Sequence, residues 1–197
     1  MLTLYQSPEF ALRLLEPRHA AALHALVEAD RDYFSRFQDW PAAMQTVDAT
    51  RDFLRHAVGN LAEKGSPYLG LYVGDALVGA VGLNPNINWA SRSADVFYYI
   101  AQGCQGRGLV TRACRVLINF AFTELELHRL TVWAAAGNTR SWAVAERLGF
   151  HRDGVHRDSK WLGDHYDDHY VYSLLRAEWE ADPAYRMEAE PADPAGV

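Results

Sequence analysis

The stretch Gln105-Gly106-Arg107-Gly108-Leu109-Val110-Thr111 governs how this chain is read. It follows the strand-like run Asp95-Val96-Phe97-Tyr98-Tyr99-Ile100 and opens an amphipathic run from Thr111 to Leu127. A glycine-punctuated turn between a strand and a helix start leaves backbone N–H groups free, and the positive end of the helix dipole points the same way. Together these make a cradle for a phosphate. Gly106 and Gly108 carry no Cβ, so the turn can be tight and an anion can approach the backbone. Two glycines at such a place also serve simply to turn the chain, so the surrounding residues decide.

Further along comes Asn138-Thr139-Arg140-Ser141, then a short helical run ending at Arg147-Leu148-Gly149-Phe150. Gln-x-x-Gly-x-Val, a helix, a strand, Asn-x-x-Ser and Gly-Phe in this order resemble the GCN5-related N-acetyltransferase (GNAT) superfamily, which binds acetyl-CoA. The pattern is most similar to the RimJ/RimL-like branch, the ribosomal-protein alanine/serine N-acetyltransferases. The 95–100 run and Leu12-Arg13-Leu14-Leu15 match that branch as well. The resemblance spans about residues 8 to 178. It implies an α/β (α+β) acyl-CoA N-acyltransferase fold: a mostly antiparallel, strongly twisted sheet flanked by helices. The coenzyme site is expected between two splayed parallel strands, at about 95–101 and 129–135.

Composition agrees with such a domain and narrows the alternatives. The 197 residues are 49% hydrophobic and 22% charged, enough apolar material for one globular core, and no apolar run is long enough to cross a bilayer. The first six residues lack the basic and apolar regions of a signal peptide, so the cytoplasm is the expected compartment. Only Cys104 and Cys114 occur, which gives no disulfide framework, and no histidine near Cys104 in sequence would activate it. A net charge of −6 with scattered basic residues argues against a nucleic-acid platform. No nucleic acid or membrane partner is expected, and a homodimer is allowed.

The remaining pattern reads as one N-acetyltransferase domain over residues 1–179 and a flexible acidic tail over 180–197. Strands are expected at about 10–15, 68–73, 76–83, 93–101, 129–135, 150–157 and 169–175. Helices are expected from Pro17, from Thr46 or Asp48 to about Lys64, over 111–127, and over 141–148 up to Gly149. His165 and His169 stand four apart, but around a Gly163-Asp164 turn leading into a strand, where such positions lie ~13 Å apart. No metal is expected.

The resemblance assigns residues as follows. Gln105, Gly106, Arg107, Gly108, Leu109, Val110 and Thr111 would hold the pyrophosphate of acetyl-CoA. Strand backbone at Tyr98, Tyr99 and Ile100 would take the pantetheine arm and supply an oxyanion donor. Asn138 and Ser141, one helical turn apart, would face the same ligand. Many superfamily members protonate the leaving thiolate with a tyrosine where this chain has Ala145; the RimL-like branch proposes the serine at Ser141. Some relatives carry a glutamate base where Trp133 stands here. The RimL-like branch carries one three residues after Gly-Phe, at Asp153, with Asp95 the second choice. Phe37, Trp40 and Trp89 would border the acceptor pocket. The expected reaction is acetyl transfer by direct attack of a primary amine, a protein N-terminal amine of ribosomal-protein type. The alternatives are a small amine (polyamine, aminoglycoside or amino-acid-like) and a non-catalytic acyl-CoA-binding module.

Overall fold

The structure, a computed structural model, describes residues 2–185. Eight strands form one sheet in the order β1-β2-β3-β4-β5-β6-β8-β7. The strands are β1 (Thr3–Gln6), β2 (Ala11–Leu14), β3 (Tyr68–Val73), β4 (Ala76–Leu83), β5 (Ser93–Ile100), β6 (Arg129–Ala135), β7 (His151–Trp161) and β8 (Tyr166–Leu175). Six helices pack around it: α1 (Ala20–Ala29), α2 (Arg31–Ser35), α3 (Val47–Lys64), α4 (Leu109–Thr123), α5 (Thr139–Arg147) and α6 (Arg176–Ala181). The strands pair antiparallel except β5 with β6. That one parallel pair follows from α4, because a strand returning after a crossover helix runs in the same direction.

Each face of the sheet buries its own cluster. On one side Val96, Leu130, Val132, Tyr172 and Leu174 meet the apolar face of α4 and α5: Leu109, Ala113, Leu117, Ile118, Ala121, Val144 and Leu148. On the other, Leu15, Tyr72 and Ala80 pack with Leu23, Val27, Met44 and Leu54 beneath α1 and α3. Leu117 is fully buried. Leu117→Ala would remove the three carbons beyond Cβ from a packed layer, a loss of about 2–5 kcal/mol.

Several boundaries differ from expectation for local reasons. α4 begins two residues before Thr111, directly at the loop, because Gly108 at φ 71° serves as its N-cap. It ends at Thr123, yet the apolar period runs on because Leu127, in the following turn, is fully buried too. α5 starts at Thr139, capped by Asn138, whose side chain accepts from the Ser141 amide. β1 was invisible because four residues at a sheet edge carry too little alternation. β7 and β8 are longer than expected: β7 is the edge strand, almost wholly exposed, so its outer half (Arg157 to Trp161) carries no apolar signal.

The expected tail at 180–197 needs correction at its start. Residues 176–181 are helical, and Tyr185 is buried. The Tyr185 hydroxyl donates to the Leu148 carbonyl at 2.5 Å, and Asn119 Nδ2 donates to the Tyr185 carbonyl at 3.0 Å. The Trp179 indole N–H donates to Asn119 Oδ1 at 2.7 Å. Residues 186–197 lie outside the described residues. Among the described residues, no helix is long and apolar enough to cross a membrane, and no group of three or more His, Cys, Asp or Glu is placed to hold a metal.

Candidate active site

The site begins where the parallel pair comes apart. β5 and β6 are in register only at Ser93–Arg129, Ala94–Leu130 and Asp95–Thr131. Beyond Asp95 the two strands splay, and β5 continues with β4 alone. The Asp95 carbonyl accepts from Asn84 and the Ala101 N–H donates to Val78. Odd-numbered residues of β5 therefore spend their backbone groups toward β4, and the alternation leaves those of Val96, Tyr98 and Ile100 facing the wedge. Of the three expected backbone contacts, Tyr98 and Ile100 are on the open side; Tyr99 is not. Its carbonyl faces Gly79 of β4 so closely that a Cβ there would meet it at 2.4 Å.

A cavity of about 1020 Å³ opens on the α4–α5 side of this wedge. Its lining includes Tyr98, Ile100, the whole 105–111 loop, Asn138 and Ser141. Gly106 and Gly108 both have left-handed backbone, φ 74° and 71°, and a Cβ built on either would meet nothing within 4 Å. The space over the loop is thus open, and left-handed φ, not crowding, explains the glycines. The first amides of α4 lack intrahelical acceptors and sit at the positive end of its dipole. Gln105 braces the loop: its Nε2 donates to the Tyr33 hydroxyl at 2.5 Å, and its Oε1 accepts from Arg140 at 2.7 Å. Gly-rich backbone, a helix N-terminus and Arg107 and Arg140 in the lining suit a diphosphate, such as the one that links adenosine to pantetheine in coenzyme A.

A second cavity of about 640 Å³ lies on the α1–α3 side. Trp40, Phe53, Tyr68, Phe97 and Trp133 wall it, and Asp95 stands in it as a half-buried carboxylate. Burial raises the Asp95 carboxyl above its usual range, against the opposing hydrogen bond from the Trp133 indole, 3.3 Å away. Lys160 of β7 reaches across to Asp39 at 2.9 Å and to Gln38 at 3.4 Å, clasping the β7–β8 hairpin to the loop before α3. Burial would raise the Asp39 carboxyl, but the hydrogen bond and charge of Lys160, helped by local backbone donors, hold it below its ordinary value.

The two cavities share Gln38, Tyr98, Tyr99 and Ser141. Ser141 is therefore where contents of one meet contents of the other. The Tyr98 hydroxyl donates to the Ser141 carbonyl at 2.8 Å, which ties the first turn of α5 to β5, and Ser141 Oγ lies 3.5 Å from the same hydroxyl. Burial raises the Tyr98 phenol far above its ordinary value, so it stays a neutral donor. The sequence points only to the Tyr98 backbone, and the structure adds its hydroxyl to the junction.

Three expected residues fall elsewhere. Asp153 lines neither cavity: its carboxylate is held by Arg129 at 2.5 Å and by the Ser173 hydroxyl at 2.9 Å. A bulge between Arg152 and Gly154 sets it at the closed end of the β5–β6 pair, where Arg129 stands opposite Ser93. Arg129 and Ser173 thus occupy the carboxylate of Asp153 away from both cavities, which does not suit the base role expected of it. Trp89 is half exposed and packs over Gly65 rather than in either cavity, while Phe37 lines the coenzyme-side cavity and only Trp40 the other. Two residues that sequence reading missed, Ser159 and His169, also line the second cavity.

Comparison with known proteins agrees with this geometry. The family model described as "Acetyltransferase (GNAT) domain" matches residues 9–151. The Bacillus subtilis (strain 168) protein named "Putative ribosomal N-acetyltransferase YdaF" is 35% identical over 188 residues, which cover 92% of this chain and 100% of that protein. The Escherichia coli (strain K12) "Ribosomal-protein-serine acetyltransferase" is 25% identical, covering 88% and 96%. A crystal structure of a "Probable acetyltransferase" superposes with a TM-score of 0.85 at 33% identity, covering 91% of this chain and 99% of that one. RimL, the ribosomal L7/L12 alpha-N-protein acetyltransferase solved with coenzyme A, shares the fold with a TM-score of 0.83 at 22% identity, covering 88% and 98%. With a splayed parallel pair, a glycine-lined helix N-terminus and these relatives, the chain belongs to the GNAT acetyltransferase family and is an N-acetyltransferase.

Proposed function

We propose that the chain transfers the acetyl group of acetyl-CoA to the N-terminal amine of a protein. The observation that carries this reading is the junction of two unlike cavities at Ser141 and Tyr98, one suited to an anion and the other to a cation. The names of the relatives point to ribosomal proteins as the acceptor class, an acceptor that would place the enzyme in the cytoplasm.

Acetyl-CoA supplies a thioester already activated toward an amine. Gly106 to Thr111 bind its diphosphate, and the open backbone of Tyr98 and Ile100 pairs with the pantetheine amides. Val96, Tyr98 and Ile100 offer the N–H groups from which an oxyanion donor would come. Asn138 Oδ1 is committed to capping α5, which leaves its amide N–H₂ for the coenzyme arm. Ser141 gives its hydroxyl proton to the departing sulfur. Asp95 faces the acceptor as a counter-charge for the ammonium, in a pocket whose aromatic walls also favour a cation. A non-catalytic acyl-CoA module would not need the second cavity or its carboxylate.

The test is release of free thiol from acetyl-CoA against panels of peptide N-termini and small amines. Preference for peptides by at least tenfold in kcat/KM is expected. Turnover with polyamines alone would replace this reading with the small-amine one, and coenzyme binding without turnover on any amine would refute both.

A further inference from the structure

We propose that His169 is the proton acceptor for the attacking amine, oriented by Ser159, an inference that rests on the function proposed above. His169 sits on β8 opposite Ala135 of β6, past the point where β5 and β6 separate, on the same sheet face as Asp95. It is buried, and it lines the acceptor-side cavity together with Ser159, Ser141 and Asp95. Its Nδ1 lies 3.0 Å from Ser159 Oγ, and that hydroxyl is directed at the Asp167 carbonyl, 3.5 Å away. A hydroxyl has one proton; when it donates to a carbonyl it can only accept from the ring. With the Ser159 hydroxyl turned to that carbonyl, the neutral imidazole carries its proton on Nδ1 and keeps the lone pair on Nε2. That is the tautomer a general base requires.

The surroundings keep this imidazole neutral. Burial lowers its proton affinity first, and Lys160 on β7 lowers it further; Asp167, whose backbone also bonds the ring, and Asp168 on β8 oppose this without reversing it. His156 is its register partner on β7, Asp39 offsets the Lys160 charge from the loop before α3, and Asp95 faces the same cavity from β5. His169 therefore charges at lower pH than an ordinary histidine.

The step balances simply. Nε2 takes one proton from R–NH₃⁺ and becomes imidazolium. The amine then bonds to the acetyl carbon as the C–S bond breaks, its second proton passes through Ser141 to the thiolate, and the imidazolium later returns its proton to solvent. An N-terminal ammonium, ordinarily at ~8, is within reach of such a base; a lysine ammonium at ~10.4 is a few hundredfold harder to deprotonate. The same residue therefore favours N-terminal over lysine acceptors.

The test is thiol-release kinetics from pH 5 to 9 for the wild type, His169→Gln and Ser159→Ala, with calorimetry of acetyl-CoA binding. Expected for His169→Gln is unchanged acetyl-CoA affinity, kcat lower by ~100-fold, and loss of the acidic limb of the kcat profile. Ser159→Ala, which disturbs the core less, should lower kcat by ~3–10-fold and displace that limb without altering coenzyme affinity. A His169→Gln enzyme that turns over within twofold of wild type, or one that is merely less heat-stable with the limb intact, overturns the inference while leaving the acetyltransferase reading standing. If His169→Gln does not fold, a Ser159→Ala profile superimposable on wild type overturns it instead. A wild type that binds acetyl-CoA but acetylates no amine overturns the proposed function, and this inference with it.

Discussion

The two cavities that meet at Ser141 are built from different materials. The coenzyme side takes its anion-binding groups from main chain: the loop from Gln105 to Gly108, the first amides of α4 and the free edge of β5. The acceptor side is mostly side chains contributed by separate elements, with Trp40, Phe53, Asp95, Trp133, Ser159 and His169 drawn from the loop before α3, α3, β5, β6, β7 and β8. A backbone site depends on a few glycines and on where a helix starts, so it tolerates change at most of its side chains. A side-chain site depends on register between distant strands, and every residue in it can be exchanged for another. The first suits a ligand gripped by its phosphates; the second suits a ligand chosen by side-chain chemistry.

That contrast can be broken by mutation. The largest effect is expected at the junction: Ser141→Ala should lower kcat by ~10²-fold or more with little change in acetyl-CoA affinity, measured at saturation with both substrates. Unchanged kcat would leave water as the proton donor. Next, Gly108→Val should weaken acetyl-CoA binding at least tenfold by calorimetry, because a β-branched residue resists φ 71° and its side chain enters the cradle, while circular dichroism stays native. Near-wild-type affinity would show that the loop is only a turn.

On the acceptor side, Asp95→Asn should raise KM for the amine ~10-fold and leave acetyl-CoA binding alone. The sign of its pH dependence follows from burial. A carboxyl raised above its usual range is charged only above that raised value, so wild-type amine affinity should fall as pH drops toward it. The Asn variant should lack that trend. The smallest effect is expected from Asp153→Asn, which breaks a partly exposed ion pair. Activity should be unchanged and stability lower by about 0–1 kcal/mol in urea titration. A large loss of kcat there would restore Asp153 to the mechanism and undo the division between the cavities.

How much could be read in advance follows the same division. Gly106, Gly108 and the period of α4 make the turn and the helix start legible, because glycines at special φ and a strong apolar stripe are local signals. Asn138 and Ser141 were legible as a spacing. Asp153 misled because its place after Gly-Phe is a sequence distance, while the bulge at Arg152–Gly154 and the pull of Arg129 are three-dimensional facts. His169 shows in the sequence only its spacing from His165, and Ser159 shows nothing: they stand ten residues apart on adjacent strands, and only the hairpin brings hydroxyl and imidazole together. Trp89, an aromatic in a loop, looked the same on paper as Trp40 and covers Gly65 instead.

The carboxy-terminal clip sets where this polypeptide can be shortened. Cutting after residue 179 would keep the indole bond to Asn119 but strip the Leu148 carbonyl and the Asn119 amide of the partners Tyr185 provides. Each buried group so orphaned costs about 1–3 kcal/mol. Leu148 is the C-cap of α5, whose first turn holds Ser141, so the damage would be felt as fraying of that helix from its far end. A chain ending at Tyr185 is therefore expected to be more stable than one ending at residue 179, although His169 is the last residue that lines either cavity.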